Sequence, residues 1–363
     1  MTTRELAAAA ALVVALPLVL VQAGAGADDQ IVVRPFEDDA FDWTEVLAES
    51  AVRASVHPYG ARMLIVNLAP GGPHLAEVEL RQGPGGRMQV GRTASWLVGR
   101  DGDESFFFDS DAGQLLQLGQ VERVDVGLQD VARKYDGQVV GRTQLDTGPA
   151  LVITFTQRDT GMLRERLFVD DGSGLVVRRE TYDAQERPVR VVVLTDLDVQ
   201  SVNLDIPTEP EAIEFGHSEP LSDRGIETLA VTGWDVPRQL PGDFRLAAGF
   251  ALPASDGGAI HLVYTDGLYV LSLYEQHGHM AQEATADAVA YRSDGMHVYR
   301  WPGSEPERMV WSGEGMTFTA VTDAPMDTAL QAIAALPSDP PDRFRDRLGR
   351  GFTRIGGWLW PFD

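Results

Sequence analysis

The sequence His277-Gly278-His279 puts two imidazoles within reach of one metal ion. Zinc normally takes at least three protein ligands, and no further His or Cys stands close by, so the pattern reads as a solvated strand end. Asp109-Ser110-Asp111-Ala112-Gly113, with Asp101 and Asp103, gathers oxygen ligands of the kind calcium prefers. It lacks the complete loop signature and its closing glutamate, and reads as an acidic turn. Gly83-Pro84-Gly85-Gly86 precedes no helix, so it is a turn and not a phosphate cradle. There is no cysteine, no Gly-x-Ser-x-Gly elbow, no His-Glu-x-x-His and no Gly-x-x-x-x-Gly-Lys loop. The residue types therefore predict no enzyme, no metal and no cofactor.

Aromatic side chains carry the alternative. Phe106-Phe107-Phe108 and Trp96 fall on strand-like segments, where alternation sends Phe106 and Phe108 to one face and Phe107 to the other. Two readings stand: packing under helices, or one apolar face lining a ligand groove. With Phe155 and Phe168, Trp96, Phe106 and Phe108 make up the candidate groove.

The elements that would position these residues are mostly strands. Trp43, Val46, Leu47, Ser50, Ala51 and Ala54 share a face at helical spacing behind an Asp42/Glu45 capping box, predicting a helix over 43–56. Strand-like segments follow at 63–68, 75–81, 87–90, 95–98, 105–108 and 114–118, then a helix over 126–135 and a strand over 138–145. From Leu151 to Val199 four strands run as a meander, 151–156, 163–169, 175–182 and 189–199, with the turn Asp170-Asp171-Gly172-Ser173-Gly174 in the middle. This order predicts an α+β fold, a curved antiparallel half-barrel packed by helices. Residues 205–225 turn acidic and proline-bearing, as a linker does. Beyond them come strands at 244–252, 259–264, 268–274, 288–292, 297–301, 308–311 and 316–321, a tight turn at Thr265-Asp266-Gly267, and a helix over 326–336 started near Asp323. They form a smaller α+β domain.

The ends and the charge bound the setting. Residues 1–27 carry Arg4, an apolar run from Leu6 to Val21 and small residues before Ala25 and Ala27, the pattern of an export signal. An uncleaved anchor is the other reading, and either places the body outside the cytoplasm. A formal net charge of −24 excludes nucleic acid as the main partner, because phosphate contacts need a basic stripe. The tail from Arg343 to Trp360 spaces Phe344, Leu348, Phe352, Ile355 and Leu359 by four and three between five arginines, and ends in Trp358 and Trp360. It suits a membrane interface, an acidic partner groove or its own acidic body.

Three pieces of the chain resemble the extracytoplasmic RseB/MucB family of sigma-factor regulators, whose first domain is LolA-like. They are the first helix with Tyr59-Gly60, the hairpin from Leu167 through Asp170-Asp171-Gly172-Ser173-Gly174 to Glu180, and Leu240-Pro241-Gly242-Asp243-Phe244 with His261 to Leu268. The element order and composition place domains at 28–204 (half-barrel) and 233–337 (smaller α+β), joined by a linker over 205–232 and followed by a tail at 338–363, and the resemblance covers both domains. The resemblance implies a non-enzymatic sensor of a lipid or peptide whose partner is a membrane-spanning anti-sigma factor or related regulator, with Tyr264, Asp266, Leu268 and Tyr269 at the partner interface. Trp358 and Trp360 are added to that interface from the basic amphipathic pattern of the tail, in which this chain departs from the family. A secreted carrier of lipid or lipoprotein is the alternative. The tail adds a peripheral membrane contact.

Overall fold

The computed structural model of the chain describes residues 32–36, 41–69, 72–83, 87–92, 96–101, 104–109, 114–120, 127–199, 212–214, 219–252, 258–278, 288–293, 296–301 and 306–339. The stretch read as an export signal and the arginine-rich run from Arg343 lie outside these residues. Described residues up to Leu116, with 127–213, make one compact unit, and 117–120 with those from Glu214 onward make another.

In the first unit, helix α1 (Trp43–Val56) begins where the capping pattern predicts. Asp42 Oδ1 accepts the Thr44 backbone N–H and the Thr44 hydroxyl, each at 2.8 Å, which satisfies an amide the helix itself cannot. The strands are β1 (Arg34–Pro35), β2 (Tyr59–Ala69), β3 (Gly72–Gln82), β4 (Met88–Arg92), β5 (Trp96–Asp101), β6 (Glu104–Asp109) and β7 (Gln114–Gln120). Helix α2 (Leu128–Lys134) feeds directly into β8 (Tyr135–Leu145), and the meander continues as β9 (Gly148–Gln157), β10 (Leu163–Asp170), β11 (Val176–Tyr182) and β12 (Pro188–Asp198). With β13 (Ala212–Glu214) they build a 13-stranded sheet in the order β1-β8-β9-β10-β11-β12-β2-β3-β4-β5-β6-β7-β13. The path is open at both edges, so the curved antiparallel sheet is a half-barrel and not a closed one. The long-range step is β12 against β2, antiparallel from Arg190↔Asn67 to Thr195↔Arg62.

Alternation gives the sheet two different faces. On one, Trp43 of α1 meets Phe155 edge-on at 5.1 Å between ring centres. On the other, Ala150, Val152 and Phe168 are fully buried with Val33, Val140 and Leu145 around them. Gly137 lets α1 come this close, since a Cβ there would stand 2.6 Å from the Trp43 indole.

The second unit is a smaller α+β assembly. Its strands are β14 (Glu219–Pro220), β15 (Gln239–Leu240), β16 (Phe244–Leu252), β17 (Ala259–Thr265), β18 (Val270–His277), β19 (Val289–Ser293), β20 (Met296–Arg300), β21 (Glu307–Gly313) and β22 (Met316–Thr322). They run β14-β16-β17-β18-β22-β21-β20-β19, with β15 on β16. Helices α3 (Asp223–Val231) and α4 (Met326–Ile333) flank them in sequence. Ile226 of α3 packs against Gly249, and Trp311 Nε1 donates to Pro337 O at 3.0 Å just beyond α4, so the same sheet face is covered at both places. Trp311 and Phe318 stack there at 5.3 Å.

Three local readings change. Part of the stretch predicted as linker is α3, capped by Ser222, whose Oγ accepts from Gly225 N–H at 3.2 Å. Asp323 does not start α4. Pro325 occupies the N-cap, and Asp323 Oδ1 instead accepts the Val270 N–H at 2.9 Å. The predicted tight turn after Thr265 is a wider loop, Asp266 to Tyr269, and the next strand starts at Val270. No helix of the described residues is long and apolar enough to cross a membrane.

Candidate binding surfaces

Strands β10 and β11 carry charge on both faces of the first unit. On the α1 side, Arg179 Nε donates to Glu165 Oε2 at 2.8 Å and its Nη2 to Oε1 at 3.0 Å, while Thr181 Oγ1 donates to Oε1 at 2.9 Å. Glu165 is fully buried and Arg179 nearly so. The planar guanidinium matches the carboxylate fork, which is what makes the burial tolerable. On the opposite face Glu180 accepts from Arg178 Nε at 2.8 Å, from Tyr182 Oη at 2.6 Å and from Arg166 Nη1 at 3.3 Å. Arg178 also lies over the Phe168 ring. Burial, then the Glu180 charge, pushes the Tyr182 phenol above its ordinary value. These ionisable groups are locked against one another and offer no free nucleophile.

The sequence-predicted groove residues separate. Phe155 pairs with Glu165 and Phe168 with Val152, and Glu165 and Phe168 stand three positions apart on β10, so Phe155 and Phe168 point to opposite faces. Both are fully buried, so they do not line one groove together. Trp96 begins β5, and Phe106 and Phe108 lie on β6, with Phe108 opposite Leu97 and Phe106 opposite Gly99. The side chains of Trp96, Phe106 and Phe108 lie outside the described part of the structure, as do those of Asp101 and Asp109. Asp103 and Asp111 lie outside the described residues.

In the second unit the predicted interface residues are inside. Tyr264, Asp266, Leu268 and Tyr269 are all buried, so they build the β17–β18 turn and do not offer an exposed surface. Asp266 Oδ1 accepts the N–H groups of Leu268 at 3.0 Å and Tyr269 at 2.9 Å, the side chain standing in for a backbone partner. Tyr264 Oη donates to Pro237 O at 2.9 Å. Trp358 and Trp360 lie outside the described residues. His277 packs against Trp234 at 4.4 Å between ring centres with the rings tilted, and His279 lies outside the described residues. Among the described residues no three of His, Cys, Asp and Glu gather as metal ligands would.

Two features of this unit escape motif reading. His261 is sandwiched between Phe250 at 5.5 Å and Tyr274 at 4.3 Å, and burial drives its pKa down to about 3. Glu275, on the opposite face of the sheet, is fully buried and accepts the Asp235 N–H through Oε2 at 3.1 Å. Burial foremost raises its pKa to about 8, the Asp235 amide bond pulling the other way and the Asp235 charge adding to the rise. The charged runs Arg164-Glu165-Arg166 and Arg178-Arg179-Glu180 on neighbouring strands are a signal of the first unit's networks that reading by motif passes over. Glu275 has no such signal, because its burial depends on a segment forty residues earlier.

Several solved structures are similar to this chain. The chain resembles MucB. A structure of MucB is 17% identical, with 80% of this chain and 96% of that one covered, at a TM-score of 0.47. The Pseudomonas aeruginosa MucA/MucB complex is 16% identical over 82% of this chain and 98% of that one, at 0.45. A LolA superfamily protein from Nitrosomonas europaea is 14% identical over 45% of this chain and 96% of that one, at 0.23. No family model and no curated protein matches the sequence.

Proposed function

We propose that the chain is a non-catalytic regulator acting outside the cytoplasm, which binds an apolar ligand on its half-barrel and the external part of a membrane-spanning anti-sigma factor or similar signalling protein. The observation that carries this reading is the RseB/MucB-like sequence pairing of the Leu167–Glu180 hairpin with Tyr264-Thr265-Asp266-Gly267-Leu268 in a second domain. The locked ion pairs of β10 and β11 support a binding scaffold over an enzyme, since they hold the titratable groups in structural bonds. A lipid or peptide would enter on the α1 side of the sheet, where Trp43 rests on Phe155. The tail, with Trp358 and Trp360, adds a contact to the membrane or to the partner.

The test uses the intact chain as bait against detergent-solubilised envelope membranes, followed by calorimetry with the purified external segment of whatever membrane regulator is recovered. Recovery of such a regulator and direct binding are expected. A chain that captures no transmembrane regulator, yet carries a stoichiometric lipid in native mass spectrometry, is a carrier and overturns the proposal.

A further inference from the structure

Glu275 is buried in an apolar setting. Its cross-strand neighbours are Ile260 on β17 and Phe318 on β22. One carboxyl oxygen holds the Asp235 amide, and the other, Oε1, has no hydrogen-bond partner. The segment it holds, Gly233 to Arg238, joins α3 to β15, and the same sheet face fastens that segment again where Tyr264 Oη meets Pro237 O. The titratable groups around Glu275 among the described residues are Asp235 on the covering segment, Tyr264 on β17, His277 two residues along β18 and Glu314 in the β21–β22 turn. The charge that acts on Glu275 is that of Asp235, and Glu314 acts in turn on Asp235, whose own pKa is raised by burial and then by Glu314. A carboxyl so placed is favoured as the neutral acid. A lone buried carboxylate next to another acid is costly, and an orphaned oxygen has nothing to offset the loss of its proton.

We propose that Glu275 is a protonation-dependent latch: the neutral acid tolerates burial beneath the segment between α3 and β15, whereas the carboxylate, although it accepts the Asp235 N–H more strongly, needs water at its unpartnered Oε1 and repels the Asp235 charge, so that ionisation drives the segment off the sheet.

The sign follows from the direction of the shift. A carboxyl with a raised folded-state pKa favours the folded arrangement most fully below its ordinary value near 4.5, and that contribution is lost as pH rises through about 8. The latch is therefore closed in mild acid and opens toward alkali. This inference stands independently of the proposed regulatory role, since it concerns one carboxyl and the backbone it holds.

The experiment is an NMR titration of the full chain from pH 5 to 9.5, following the Glu275 side-chain carboxyl carbon and the Asp235 backbone amide. Both signals are expected to move together with a midpoint near pH 8, with Asp235 amide protection falling at least tenfold beyond its intrinsic pH trend. In Glu275→Gln, which keeps an oxygen acceptor and cannot ionise, the Asp235 transition is expected to vanish. A Glu275 midpoint below pH 6, or an Asp235 amide that ignores the Glu275 transition, overturns the latch. The parent protein decides between these results even if the variant fails to fold.

Discussion

Arg179 and Glu165 show what a buried charge demands. Their bond is bidentate and shut away from water, so removing only the guanidinium leaves a carboxylate that has already given up its hydration. Arg179→Met is expected to lower stability by about 3–5 kcal/mol in urea unfolding at pH 7. The double variant Arg179→Met with Glu165→Leu should recover most of that loss, since it removes both charges. His261 acts in the opposite way. Its folded-state pKa is depressed to about 3, so the unfolded chain takes up a proton below the ordinary 6.5 while the folded chain does not. Stability from this site is complete above that value and lost as pH falls toward 3, by about 1.4 kcal/mol for each pH unit. His261→Phe keeps an aromatic ring in the Phe250–Tyr274 stack and removes the titration. Thermal melts from pH 3 to 7 are expected to be flatter for the variant than for the parent. Neither residue was legible as buried in the sequence, because no local pattern tells which charged position of a strand another element will cover.

At the scale of elements, most of the secondary structure was legible. The 43–56 helix follows from its cap and its apolar face, and the β9–β12 meander from alternation and the Asp170–Gly174 turn. The misses have physical causes. Helix α3 is short and sits in an acidic, proline-flanked stretch, so periodicity had little to work with before Ile226 found Gly249. The placement of α1 on the sheet depends on a residue with no side chain at all. Gly137 accepts the Trp43 indole, and a β-branched side chain there would occupy the same space. Gly137→Val is expected to cost about 1–3 kcal/mol by forcing α1 outward. Near-UV circular dichroism should report the loss of the fixed Trp43–Phe155 pair, while far-UV strand content is kept.

Across the whole molecule, two antiparallel sheets hold together without a single cysteine. The candidate site was only partly readable from the sequence. The hairpins that carry the family resemblance were visible, but alternation alone could not show that Phe155 and Phe168 face apart or that the β17–β18 turn is internal. Those facts depend on register and on covering segments. The strand order also sets a timetable. Thr195 of β12 and Arg62 of β2 are bonded neighbours 133 positions apart in the chain. Whether the chain emerges from a ribosome or an export channel, β2 and β3 appear early and can fold back on one another, while the outer edge of β2 waits for β12. During that interval Leu64, Ile65 and Val66 offer an open strand edge to any other chain nearby. The late return of β12 leaves that edge uncovered until nearly two hundred residues are through.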